Sequence, residues 1–142
     1  MFAFVAVHRL SEGNLPSIAK NIESLYGQSA RADMTSALTA VVLEATLLPT
    51  RAPSRVVTDI ALLLAVLHCR VGCEVTASFL HRLVKRYDQL FAEVAVAESE
   101  KELDNALSLL AQLYNFKVRG FSLLRDEKLP SKHKPSPGLL LF

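Results

Sequence analysis

The sequence predicts an all-α chain of stacked antiparallel helix pairs, and three observations carry that prediction. Apolar residues recur at three and four positions wherever a pattern exists, and no stretch alternates cleanly at period two. Only a few residues of proline, glycine or capping type separate one periodic segment from the next. The 142 residues are one domain's worth of material. With 51% hydrophobic residues and a mean hydropathy of +0.27, disorder is excluded over most of the length.

In the first helix Ile18, Ile22 and Leu25 repeat at four and three residues, after Asn14 as N-cap and Pro16 in the first turn. Gly27 is expected to end it in a left-handed C-terminal position. The second helix runs from near Asp33 to about Leu47, with Met34, Leu38, Val41, Val42 and Ala45 on one face. Pro49 and Pro53 bracket a short linker. Ser54 caps the third helix, which continues to about Val71 and stops at Gly72. From Val56 to Leu67 only Thr58 and Asp59 are polar, so this helix is predicted to be buried nearly all round. The fourth, from about Glu74 to Val96, turns Val75, Phe79, Leu83, Tyr87, Leu90 and Val94 inward and His81, Arg82, Lys85, Arg86 and Gln89 outward. Ser99 and Glu102 form a capping pair for the fifth, whose inward set is read as Leu103, Ala106, Leu107, Leu110, Leu113 and Tyr114.

Charge narrows the function class without naming it. The chain holds 16 Lys and Arg against 14 Asp and Glu, a formal +2 that does not declare a nucleic-acid binder. Residues 117–134 carry six basic and two acidic side chains, so a basic tail follows a mildly acidic body. Residues 119–142, with Pro130, Pro135, Pro137 and three lysines, read as a disordered tail or a nuclear-import patch. Neither a convincing secretory signal nor an apolar run long enough for a membrane span is present, and the chain reads as soluble and intracellular.

The residues offer no catalytic constellation. Five isolated glycines make neither a phosphate loop nor a dinucleotide fingerprint, and no nucleophile elbow occurs, so no cofactor, small-molecule substrate or reaction is predicted. His68, Cys69, Cys73 and His81 are the best metal candidates, but they lack paired zinc spacing; the simpler reading is that Cys69 is a small core residue and His68 lies near a helix end. Arg82, Lys85 and Arg86 form a basic face that could meet RNA phosphates or an acidic protein; a solvated helix face accounts for the same residues.

The run from Arg9 to Ile18 (RLSEGNLPSI), Ile22–Tyr26 (IESLY) and Arg31–Met34 (RADM) open a recognisable pattern. It continues through Ala61–Leu67, Val71–Gly72, Phe79–Leu80, Leu83–Val84 and Leu113–Phe116. In this order they resemble the middle domain of eukaryotic initiation factor 4G, as carried by nucleolar proteins. The resemblance covers about Arg9 to Val118 and implies a partial domain over residues 1–118, with residues 119–142 off the pattern. It implies a stack of HEAT-like helix pairs acting as a scaffold that binds a DEAD-box RNA helicase. The setting it implies is nucleolar small-subunit rRNA processing and ribosome biogenesis, in contact with RNA or a pre-ribosomal particle. A related branch works in splicing. In both branches Asn followed by Lys or Arg near the end of the first helix approaches the helicase. His8 and Arg9 stand at those positions, Arg9 keeping the charge and His8 replacing the amide. Because the helix expected to pair with the fifth is missing from the pattern, the chain is expected to expose an apolar face and to self-associate.

Overall fold

The computed structural model describes residues 7–94, 100–116 and 118. Five helices follow a helical turn at Val7 and His8: α1 (Leu15–Gln28), α2 (Arg31–Thr46), α3 (Ser54–Arg70), α4 (Cys73–Val94) and α5 (Glu100–Asn115). No strand occurs among the described residues. The predicted all-α stack is the observed fold. Helices α1, α3 and α5 lie side by side in one layer, and α2 and α4 form the other, with α3 packed against α4 and α4 against α5.

The most apolar helix is the most enclosed. Val57, Ile60, Ala61, Leu63, Leu64 and Leu67 of α3 are all buried, and α3 touches each of the other four helices. Full burial of a leucine is worth about 1.5–3 kcal/mol, so this one segment supplies much of the driving force for the stack. From α4, Val75, Phe79, Leu80, Leu83 and Leu90 complete the core, with Tyr87 packed at its edge, while His81, Arg82, Lys85 and Gln89 are exposed as the pattern requires. Met34, Leu38, Val42 and Ala45 cover it from α2, with Val41 half-buried beside them.

Several local details depart from the sequence reading. Gly27 lies inside α1, which continues to Gln28. It packs against nothing and needs no left-handed turn there. Gly72, by contrast, has φ +143° and does break the chain between α3 and α4. Asn14 stands at the α1 N-cap position without making the cap bond; its amide reaches backwards instead. Ser54 is the first residue of α3, after Pro53, and its carbonyl accepts a bond from the Thr58 hydroxyl at 2.9 Å.

The inward face of α5 is also rotated from the expected one. Ala106, Leu109 and Leu113 are buried with Asn105, whereas Leu107 is 53% and Tyr114 is 70% exposed. Leu103 and Leu110 sit half-buried between the two faces. Asn105 explains the choice. Its Nδ2 donates to the carbonyls of Leu48 (3.2 Å) and Thr50 (2.9 Å), and its Oδ1 accepts from the Ala52 N–H (2.9 Å). One amide thereby satisfies three backbone groups of the linker between α2 and α3, a requirement of burial that no apolar side chain could meet. Ser99, the Val94 side chain and the tail 119–142 lie outside the described residues.

Candidate interaction surfaces

The corner ahead of α1 is built from backbone groups and one side chain. Leu10 N–H donates to the Val7 carbonyl (3.3 Å), and the N–H groups of Asn14 and Leu15 both donate to Ser11 (3.1 and 3.0 Å). The Asn14 side chain closes the loop, its Oδ1 accepting from Ser11 N–H at 2.8 Å and its Nδ2 donating to the Arg9 carbonyl at 2.7 Å. Val7 beneath is buried, and His8 and Arg9 are exposed on the outside. The backbone of Arg9 is thus held on both sides, by Val7 in the core and by Asn14, while its side chain faces solvent. A fixed corner with an exposed guanidinium can offer charge-assisted hydrogen bonds to a carboxylate or a phosphate.

The basic face of α4 is less free than its sequence implies. The Arg82 guanidinium donates to the Ser36 hydroxyl at 2.9 Å, across to α2. Arg86 pairs with Glu102 of α5 at 3.4 Å and with Glu93 at 3.7 Å. Only Lys85 of the three has no hydrogen bond or ion pair among the described residues. Glu102, read as half of a capping pair, serves here as the partner of Arg86.

The histidine and cysteine candidates are separate. Cys69 and Cys73 are exposed free thiols. Half-buried His68 meets the Thr76 hydroxyl at 2.6 Å, and that hydroxyl donates to the Cys73 carbonyl at 3.1 Å. Among the described residues no three His, Cys, Asp or Glu side chains are grouped to hold a metal ion. No described helix is long and apolar enough to cross a membrane.

Sequence reasoning assigned no role to Ser36 or Glu74, nor to Arg31 beyond its place in the resemblance. Arg31 joins three helices: its Nε donates to Glu74 at 2.8 Å, its Nη2 to the Val71 carbonyl at 3.0 Å, and its guanidinium lies 5.8 Å from the centre of the Tyr26 ring. These partners are 40 and 43 positions away for the first two, so no local pattern could have announced them.

Comparison with known proteins identifies the chain's relatives. It is 38% identical over 120 residues to Nucleolar MIF4G domain-containing protein 1 of Mus musculus, and equally so to the Homo sapiens protein of that name. It is 40% identical over 121 residues to the Drosophila melanogaster homolog. Each match covers 84% of this chain and 14% of the relative. No family model and no solved structure matches. All three relatives are nucleolar by name, and the nucleolus is the compartment of this sequence family. MIF4G denotes the middle domain of eukaryotic initiation factor 4G, and this chain belongs to the family of nucleolar proteins that carry it.

Proposed function

We propose that this chain is a helical scaffold that docks a DEAD-box RNA helicase through the corner of His8 and Arg9, in nucleolar small-subunit rRNA processing. The observation that carries the reading is the Asn14 clamp. It presents Arg9, at the position where the resemblance implies a helicase contact, on a backbone already held in place when a partner arrives. The scaffold performs no reaction. It acts by binding one conformation of the helicase more tightly than another, which is the only way a ligand shifts a population. ATP hydrolysis belongs to the helicase.

Direct RNA binding by the α4 face is the weaker reading, because Arg86 is already paired with the carboxylates of Glu93 and Glu102. The splicing branch of the fold shares the helicase contact, and the nucleolar names of the relatives favour the ribosomal setting.

The test is a binding titration of the chain against nucleotide-loaded DEAD-box helicases. Arg9→Glu is expected to weaken the complex about tenfold, equivalent to about 1.4 kcal/mol. Asn14→Ala, which releases the corner, should weaken it less. Unchanged affinity in Arg9→Glu would remove Arg9 from the interface.

A further inference from the structure

Between the N-terminal halves of α2 and α4 lies an open cleft of about 410 Å³, lined by Arg31, Thr35, Ser36, Glu74, Ser78 and Arg82, with Ala32 completing it. Its existence follows from sequence. Ala32 and Ser36 on α2, and Ser78 on α4, are too small to fill the space between two helices that run in the same direction. Their donors outnumber their acceptors: two guanidiniums and three hydroxyls surround a single carboxylate.

We propose that this cleft is a docking site for an acidic, extended peptide segment of a partner protein, in which Glu74 acts as an internal stand-in for one of the partner's carboxylates. The Arg31–Glu74 pair shows the recognition already made within the chain: the guanidinium takes a carboxylate through both Nε and Nη2. That pair is 52% and 64% exposed, and exposed ion pairs are weak, so an incoming carboxylate exchanges for Glu74 at little cost. Arg82, braced by the Ser36 hydroxyl, marks the other end of the cleft. Glu74 and Arg82 are two helical turns apart on α4, about 12 Å at 1.5 Å per residue. Two side chains on one face of an extended strand, four residues apart, span about 13 Å, which sets the spacing of acids the cleft reads. The hydroxyls of Thr35, Ser36 and Ser78 line the path between.

Peptide is favoured over RNA. None of the residues lining the cleft is aromatic, so a base would find nothing to stack on. The proposal is independent of the helicase reading, since it uses a different face and different residues.

Binding of a fluorescein-labelled oligoglutamate peptide to the full chain, followed by anisotropy, tests it. Arg82→Ala is expected to weaken binding about tenfold. Glu74→Gln, which removes the internal competitor, is expected to tighten it a few-fold, a gain that misfolding cannot imitate. Lys101→Ala, on α5 and outside the cleft, should change nothing. Absence of oligoglutamate binding, indifference to Arg82→Ala and Glu74→Gln, or an equal loss in Lys101→Ala would each overturn the proposal. So would tighter binding of an oligouridylate through the same residues.

Discussion

Asn105 does work that its position in an otherwise apolar helix conceals. Its three bonds to the linker each contribute about 0.5–1.5 kcal/mol net, and removing them also leaves the buried Ala52 N–H without its acceptor. Asn105→Ala should therefore cost about 2–4 kcal/mol, read from urea unfolding with an unchanged slope. Asn105→Asp should cost at least as much, because a carboxylate would face the carbonyls of Leu48 and Thr50 with nothing to donate. Tyr26 gives a second prediction at this scale. Burial pushes its phenol above the ordinary value of 10.0, opposed by the hydrogen bond to Thr35 and the charge of Arg31 and reinforced by Glu74. The neutral form is the one the fold favours, so above pH 10 the unfolded chain gives up a proton that the folded chain keeps. This contribution is complete below the unfolded pKa and is lost as pH rises through the folded one. Tyr26→Phe should flatten the alkaline fall in stability, at a cost of about 1 kcal/mol near neutrality for the lost bond to Thr35.

The helix α5 shows where pattern reading stops. It carries two apolar stripes, Leu103–Leu107–Leu110–Tyr114 and Ala106–Leu109–Leu113, and period alone gives no reason to prefer one. The sequence reading mixed them. The structure turns the second inward because Asn105 has to face the linker. By contrast, the burial of α3 was legible from its apolar run, although its cap was misplaced by one residue and Val56 stays 38% exposed. The glycines divide similarly: Gly72 ends a helix at a positive φ, whereas Gly27 sits inside one, and composition does not separate the two cases. For the candidate surfaces, Arg82 and Arg86 were found by charge, but the partners that occupy them lie on other helices and carried no local signal. The outward stripe of α5 has a measurable effect. Leu107 and Tyr114 are large exposed hydrophobics on one face, and Phe91 of α4 is 66% exposed. Light scattering should show association that rises with protein concentration, and Leu107→Lys with Tyr114→Lys should reduce it without lowering the melting temperature.

At the scale of the molecule, α3 sits in the middle of one layer and touches every other helix, and the surfaces that remain are distributed around it. The His8–Arg9 corner precedes the first helix of one layer. The Arg31–Arg82 cleft runs along the other. A scaffold with separate faces can hold two partners at once, with an effective concentration set by the distance between them rather than by either affinity alone.

The bonds of Asn105 also impose an order on synthesis. Ala52 waits for an acceptor 53 residues further along, and the carbonyls of Leu48 and Thr50 wait for a donor 57 and 55 residues away. While the ribosome is still making α3 and α4, these three linker groups have no partner but water. Such a nascent chain is open to proteases and chaperones at this one stretch until α5 has emerged. Pulse-labelled translation intermediates cut by a protease should therefore be cleaved between residues 47 and 53 when they end before Asn105, and resist cleavage there once α5 is complete.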